Sequence, residues 1–229
     1  MTKKIVKKKK LKLVNFLIFL LFLVGLFCGG NYILHIPIKN IIIKNTNYLN
    51  DDYIIDLAGI KNYPSFILTS SKAMQNKLLK SSYIKKVTIK KECGFILEID
   101  IDEAKPLFYN VTSNKYVLSN KKEVGEESIN SNFRVPRLIN YVPDNKYNKF
   151  FKGMNSVSSA VLSQISDIEY LPNDYDKDRF LLYMDDGNMV YITLTKFKMI
   201  NHYNEVLSQL DNHKGILYLD SGNHFKIME

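Results

Sequence analysis

The sequence has very few of the residues that build disulfide frameworks and metal sites. Only two cysteines, Cys28 and Cys93, occur in 229 residues. Cys28 lies within a long apolar run and Cys93 lies far away in the polar remainder, so the two cannot pair within one folded domain. The histidines are few and scattered: His35, His202, His213 and His224. We therefore expect no disulfide framework, no metal site and no cofactor.

Motifs of the common catalytic families are also missing. The chain has no G-x-S-x-G nucleophile elbow, no phosphate-binding loop and no H-E-x-x-H. It also has no S-x-x-K followed by the partner motifs of penicillin-binding enzymes. We therefore predict that the protein is not an enzyme.

Two acidic groups allow a cation-binding interpretation. Glu98, Asp100 and Asp102 alternate along a predicted strand, where they form either a solvated or partner-facing surface or a site for acid chemistry or a cation. We favour the surface, because an alternating strand normally exposes one polar face. Residues 185–188 (DDGN) lack the later bidentate acid of a calcium loop and are predicted to be a turn.

The positive net charge is concentrated at the N-terminus. Residues 1–12 contain seven of the 32 basic residues and no acidic residue. Residues 13–229 therefore carry 25 basic residues against 23 acidic ones. Nucleic-acid binding needs a basic face on the folded part of a protein. The nearly neutral remainder argues against such a role.

The apolar run predicts a transmembrane helix over residues 13–36. The run contains no charged residue, and a helix of this length spans about 36 Å, against about 30 Å for the hydrocarbon core of a bilayer. The lysines before it place residues 1–12 in the cytoplasm as a short tail. A cleaved signal peptide is the alternative, but its apolar core is shorter and ends in small residues. A lipoprotein signal is disfavoured because Phe27 precedes Cys28.

The first part of the outer portion predicts a small sheet covered by helices. Residues 37–44 favour a strand. A helix begins at residue 50 or 51, where Asn and Asp are good caps, and ends at Gly59. A second helix is capped by a serine at 70 or 71 and continues to about residue 80.

A β-hairpin follows, with its turn at residues 92–94. Its second strand is predicted to place these apolar residues on one face: Phe95, Leu97, Ile99 and Ile101. Together the elements form a strand, helix, helix, strand, strand unit.

The pattern changes near residues 104–107, which predicts a domain junction there. The expected elements beyond it are a strand at 116–118, a polar loop at 125–135, a helix at 149–165, a strand at 168–171, a hairpin of 179–184 with 189–193, a helix at 195–210 capped by Thr195, and strands at 216–219 and 225–228. The hairpin has the strongest local signal, an Asp-Gly turn. An anchored chain of sheet-rich domains without catalytic motifs is best interpreted as an interaction protein that binds through sheet edges.

Several segments, taken in order, resemble the FtsQ/DivIB family of bacterial cell-division proteins over essentially the whole chain. In the membrane-proximal part they are residues 41–55 (IIIKNTNYLNDDYII), 82–89 (SYIKKVTI) and 97–106 (LEIDIDEAKP). In the distal part they are residues 116–118 (YVL), 135–138 (VPRL), 185–187 (DDG), 190–192 (VYI) and 217–220 (LYLD). The family often has a proline where this chain has Cys93-Gly94, and often a glycine near Lys122.

The resemblance implies an α+β protein with one N-terminal transmembrane helix. A POTRA-like β-α-α-β-β domain would cover residues 37–106, and a mixed β-domain with flanking helices would cover residues 107–229. The protein would be a single-pass protein of the cell membrane with its C-terminal domains outside, enriched at the division septum. The POTRA-like domain would serve as a recruitment surface.

The resemblance also implies partners. They would be FtsB/DivIC-like and FtsL-like bitopic proteins, and the complex would help to couple septal peptidoglycan synthesis to division. In the family the last strands receive the FtsB-type partner, which carries over here to Tyr218, Leu219, Phe225 and Ile227. Packing of these four residues in the domain core is the alternative. Other functions left open are a POTRA-containing secretion or sporulation assembly factor and a diverged envelope enzyme.

Overall fold

The computed structural model describes residues 13–125, 134–210 and 213–228. The described residues form two compact units. The first runs to Ser81 and resumes over Lys86–Asp102, and the second combines Ser82–Lys85 with the chain from Glu103 onward. The predicted cytoplasmic tail and most of the predicted polar loop at 125–135 lie outside the described residues.

The chain has one long N-terminal helix, followed by short helices and strands. The helices are α1 (Leu13–Leu34), α2 (Asp51–Ala58), α3 (Ser71–Leu78), α4 (Asp144–Asn155), α5 (Ser159–Leu162), a 3-10 helix (Leu194–His202) and α6 (Tyr203–Leu207). The strands are β1 (Asn40–Lys44), β2 (Ile84–Glu92), β3 (Ile96–Glu103), β4 (Pro106–Asn110), β5 (Lys115–Leu118), β6 (Glu123–Val124), β7 (Arg137–Leu138), β8 (Ile165–Tyr170), β9 (Arg179–Met184), β10 (Met189–Thr193), β11 (Gly215–Tyr218) and β12 (His224–Ile227).

Helix α1 is long and apolar enough to cross a membrane over Val14–Leu34. Its described side chains are exposed along the whole helix. The structure therefore has the N-terminal apolar helix that the sequence predicts. The helix ends at Leu34, and Pro37, three residues later, forms an isolated antiparallel β-bridge with Ser65.

The first unit contains a three-stranded sheet in the order β1-β3-β2. β1 runs parallel to β3. The short connection between β2 and β3 makes that pair a hairpin, because parallel neighbours need a long crossover. Helix α2 packs against α3. The order β1-α2-α3-β2-β3 is the predicted one.

Local capping explains where α2 and α3 begin and end. The Asn50 side chain accepts a hydrogen bond from the Tyr53 amide at 2.7 Å, and Gly59 ends α2 with φ of 74°. The Ser70 hydroxyl accepts from the Ala73 amide at 3.3 Å at the start of α3. Both helix starts agree with the sequence prediction.

The predicted position of Phe95 is wrong. Leu97, Ile99 and Ile101 are buried on one face of β3, as expected. Phe95, however, precedes β3 and has φ of 62°, a left-handed conformation in which the alternation of a strand does not apply. The half-buried ring instead meets Phe66 edge-on, with ring centroids 5.5 Å apart.

The second unit is built on a nine-stranded sheet in the order β12-β11-β10-β9-β8-β7-β4-β5-β6. Register places a continuous apolar row on one face: Leu138, Ile168, Leu182, Val190, Leu217 and Phe225. Helix α4 and the 3-10 helix help to cover the core, where Phe150 stacks on Phe180 at 5.0 Å. The β9–β10 hairpin has the predicted ends, with Gly187 at φ of 89° in its turn.

The single helix predicted at 149–165 is wrong. Helix α4 begins at Asp144 and ends at Asn155, a short α5 follows, and Ile165 starts β8. Asn201 stabilises the break, because its amide donates to the Ser156 carbonyl at 3.0 Å and its oxygen accepts from the Ser158 amide at 2.8 Å. The serines therefore end one helix and begin another.

The helix predicted at 195–210 differs in type and in its cap. Its first nine residues form a 3-10 helix that begins after Thr193, and no side chain caps it. The buried residues Leu194, Phe197, Ile200 and Tyr203 recur at every third position. That spacing matches the three residues per turn of a 3-10 helix. α6 then ends at Leu207.

Strands β4 and β7 were not predicted. β4 falls at the expected domain junction and β7 contains only two residues. β7 depends on parallel pairing with β4 and β8, whose partner residues lie 28 and 30 positions away, whereas β4 forms an antiparallel pair with the nearby β5.

Candidate functional site: the edge formed by strand β12

Strand β12 forms one edge of the nine-stranded sheet. Within the described part of the chain it pairs only with β11, in antiparallel register from Gly215↔Ile227 to Tyr218↔His224. The Met228 amide donates to the Lys214 carbonyl at 2.9 Å, so this pair exchanges hydrogen bonds. Hydrogen-bonded and non-bonded pairs alternate in antiparallel ladders. The backbone amides and carbonyls of Phe225 and Ile227 therefore point away from β11, towards the edge.

The four predicted partner-binding residues lie together at this edge but on different surfaces. Leu219 is buried in the core, and Phe225 is partly buried against it. The side chain of Ile227 is 51% exposed. Tyr218 lies on the opposite face of the sheet, where its ring stacks on His224 with centroids 4.7 Å apart.

An apolar groove of about 470 Å³ runs beside β12 on the helix-covered side of the sheet. Its apolar walls come from the 3-10 helix, the α6 region, β11 and β12: Met199, Val206, Leu210, Leu217, Leu219 and Phe225. His202 and Gln209 add polar groups at the same groove. The edge thus combines outward-pointing backbone groups with apolar surface, the two features that strand addition uses.

A buried polar network holds the start of β11. The side chain of Asn188 is 1% exposed, and its oxygen accepts from the Gly215 amide at 2.8 Å. Its amide donates to Asp186 and to the Tyr203 hydroxyl, each at 3.0 Å, and that hydroxyl donates to Asp186 at 2.8 Å. Burial raises the pKa of Tyr203, and the hydrogen bond to Asp186 raises it further. The network joins the β9–β10 turn to β11.

Gly215 allows β12 to lie close against β11. A Cβ atom at this position would lie 2.2 Å from the Lys226 carbonyl oxygen and 2.7 Å from the Phe225 ring. Because one of these atoms belongs to the backbone, any side chain at 215 would displace β12.

The opposite face of the sheet carries a stacked row of polar and aromatic side chains. The Arg179 guanidinium lies 3.6 Å from the centroid of Tyr191, and Tyr191 contacts Tyr218 at 5.3 Å. Arg179 Nε is 2.9 Å from Asp220, at an angle that makes the contact an ion pair rather than a hydrogen bond. These contacts hold Tyr218 and Asp220 in place on this face of the sheet.

The acidic strand has basic and amide partners. Lys44 Nζ lies 2.6 Å from Glu98, and this hydrogen bond raises the pKa of Lys44. The Asn45 amide donates to Asp100 at 2.7 Å. The part of the chain that the structure describes contains no group of three potential metal ligands.

Sequence reasoning did not find the roles of Asn188, Tyr203 and Gly215. Residues 185–188 were interpreted only as a turn, although the Asn after Asp-Gly was visible. Its partner Gly215 lies 27 positions away, so no local pattern could connect them.

Comparisons with known proteins show what the chain is similar to. Residues 36–103 match the family described as "POTRA domain, FtsQ-type". Over 225 residues the chain is 28% identical to cell division protein DivIB of Brevibacillus brevis, an alignment that covers 92% of this chain and 81% of the relative. DivIB of Bacillus subtilis is 27% identical over 82% of this chain and 73% of the relative. DivIB of Geobacillus kaustophilus is 26% identical over 80% of this chain and 72% of the relative.

Over most of its length the chain is similar to DivIB cell division proteins, and residues 36–103 match the FtsQ-type POTRA family. The family resemblance stated from the sequence is thus confirmed, as is the α+β fold with an N-terminal apolar helix, a POTRA domain and a mixed β-domain. The similar proteins are named as cell division proteins, and the described part of this chain has one helix long and apolar enough to cross a membrane. A solved structure of the major extracytoplasmic domain of DivIB from Geobacillus stearothermophilus also aligns, with a TM-score of 0.38, 24% identity and coverage of 48% of this chain and 96% of that chain. The predicted domain boundaries at residues 12, 36 and 106 stay predictions.

Proposed function

We propose that this protein is a non-enzymatic scaffold of the bacterial divisome. It binds FtsB/DivIC-like and FtsL-like bitopic proteins outside the membrane and helps to couple septal peptidoglycan synthesis to division. Its N-terminus lies in the cytoplasm and its two folded units lie outside, at the septum. The POTRA unit contributes a recruitment surface.

The unpaired side of β12 carries this proposal. Phe225 and Ile227 present backbone groups to the edge, and the adjacent groove offers apolar surface for the side chains of an added strand. Tyr218 and Leu219, at the end of the neighbouring strand β11, support this edge without forming it. Leu219 supports the groove from the core, and Tyr218 holds β12 through its stack on His224.

The alternatives have less support. The relatives' names refer to cell division, which favours the divisome over a secretion or sporulation factor. The envelope-enzyme hypothesis was based on the acidic strand, where Glu98 and Asp100 are already engaged by Lys44 and Asn45.

Co-purification from membranes tests the proposal. The tagged full-length chain should recover an FtsB/DivIC-like protein, and a functional fluorescent fusion should concentrate at septa. A uniform membrane distribution of the functional fusion, with no such partner recovered, would refute it.

A further inference from the structure

One surface of the first unit lies directly at the end of the membrane helix. The backbone amide of Phe66 donates to the Ile36 carbonyl at 2.9 Å, and the Ile38 amide donates to the Pro64 carbonyl at 3.0 Å. The Ser65 hydroxyl also donates to the carbonyl of Leu34, the last residue of α1. Three hydrogen bonds therefore fix residues 64–66 beside the membrane exit.

The position of α1 in a bilayer determines the depth of this segment. A helix of 22 residues is about 33 Å long, close to the roughly 30 Å thickness of the hydrocarbon core. Leu34 must therefore lie near the boundary between acyl chains and headgroups. A residue that hydrogen-bonds to its carbonyl lies at the same depth, within the interfacial region.

The same segment, residues 63–68, has exposed apolar side chains, and contact with water is unfavourable for them. Tyr63 is 50% exposed, Ile67 41% and Leu68 61%. Single exposed apolar residues are ordinary, but these three are grouped within six positions at the membrane exit. Tyrosine and aliphatic side chains at this depth bury apolar surface among the lipids.

Two lysines flank the same surface. Lys39 Nζ lies 5.3 Å from the Phe95 centroid, and Lys91 Nζ lies 5.2 Å from the Phe66 centroid. Lys91 also donates to the Ile67 carbonyl at 3.2 Å, which fixes it against the exposed segment. Phe66 and Phe95 contact each other, so the lysines and the apolar segment form one continuous surface. Each cation near an anionic bilayer surface favours binding to it.

We propose that this surface, residues 63–68 with Lys39 and Lys91, binds the outer leaflet of the membrane and recognises anionic phospholipid headgroups. Ile67 and Leu68 enter the interfacial layer, and the lysines contact lipid phosphates. The contact fixes the orientation of the first unit on the bilayer. It rests on the proposed orientation of α1 in the membrane, and not on any division partner.

Lipid quenching in vesicles tests this binding. The full-length chain with Cys28→Ser and Cys93→Ser receives a single cysteine, Leu68→Cys or Leu79→Cys, labelled with an environment-sensitive fluorophore. Leu79 is the matched control because it is an exposed leucine of the same unit, at the far end of α3. The vesicles contain phosphatidylglycerol and a phospholipid that carries a doxyl quencher near its headgroup.

The fluorophore at 68 should be quenched several-fold more strongly than the one at 79. Replacing phosphatidylglycerol with phosphatidylcholine, or combining Lys39→Gln with Lys91→Gln, should reduce that difference substantially. Lys80 follows the C-terminal end of α3, and Lys86 lies near the start of β2. The combination of Lys80→Gln with Lys86→Gln should leave the difference in quenching unchanged.

Equal quenching at 68 and 79 would overturn the proposal. So would a difference that is the same in neutral and anionic vesicles, or one that both lysine pairs reduce equally. Stronger quenching at residue 68 that occurs only when another membrane protein is present in the vesicles would also overturn the proposal. None of these readouts involves the β12 edge, so failure here is distinct from failure of the divisome proposal.

Discussion

Asn188 and Gly215 are joined by a buried hydrogen bond of 2.8 Å between the side-chain oxygen of Asn188 and the backbone amide of Gly215. The bond links the β9–β10 turn to the first residue of β11, the strand that holds the β12 edge in place. The proposed interaction surface therefore depends on a polar side chain buried behind it.

Replacing Asn188 with alanine should lower the free energy of unfolding by about 1–3 kcal/mol, because it leaves buried groups without partners. Amide hydrogen exchange in β11 and β12 should also become faster. Denaturant unfolding and hydrogen exchange of the detergent-solubilised chain measure both effects. Asn145→Ala, at an exposed position of α4, should change stability by less than about 0.5 kcal/mol. Equal effects of the two substitutions would show that the Asn188 network does not hold β11.

Gly215→Ala should displace β12 and abolish partner recovery, because the new methyl group meets the Lys226 carbonyl and the Phe225 ring. Gly153→Ala is the matched control. Its methyl group would meet Phe197 within the core, at 2.9 Å. It should lower stability and leave partner recovery by the folded protein intact. Normal recovery with Gly215→Ala would contradict the described packing of β11 and β12.

The raised pKa of Tyr203 makes part of the stability sensitive to alkaline pH. The unfolded phenol titrates near pH 10, whereas the folded one stays protonated to higher pH. Its contribution is therefore complete below about pH 10 and is lost as the pH rises above that value. Unfolding measured from about pH 8 to about pH 11 should show a smaller alkaline loss in Tyr203→Phe than in the wild type. Tyr175→Phe, at a fully solvated position, should retain the wild-type slope.

Removing the charges of the acidic strand should have little effect on function. The triple variant Glu98→Gln, Asp100→Asn, Asp102→Asn loses surface ion pairs such as Lys44–Glu98, which contribute little to stability because solvent screens them. It should still support division in a depletion strain. A folded triple variant that fails to do so would revive the hypothesis of a site on this strand.

The sequence predicts elements whose signals are local. The caps at Asn50 and Ser70 and the Asp-Gly turn of β9–β10 each lie within a few residues of what they determine. Strand β7 was missed because its two residues pair with strands 28 and 30 positions away. Strand β4 was missed because it falls at the predicted domain junction. The helix over 149–165 was wrong because Asn201, a residue of another element, stabilises the break after α4.

The candidate site likewise has features with local sequence signals and features that depend on residues far apart in the chain. The apolar residues of the last strands stand out in the sequence, and the structure places Phe225 and Ile227 at the sheet edge. Alternation places Tyr218 and Leu219 on opposite faces of the sheet, but it could not tell that the face of Leu219 is the buried one. Nor could it reveal that Gly215 is required by the Lys226 carbonyl across the strand pair.

Substitution of Ile227 tests strand addition at β12 most directly. Ile227→Pro removes an outward-pointing amide without removing a hydrogen bond to β11, whereas Ile227→Ala shortens the side chain and keeps that amide. Co-purification from membranes should lose the FtsB/DivIC-like partner with Ile227→Pro and retain most of it with Ile227→Ala, at unchanged unfolding midpoints. Recovery of the partner by Ile227→Pro at the wild-type level would contradict the account.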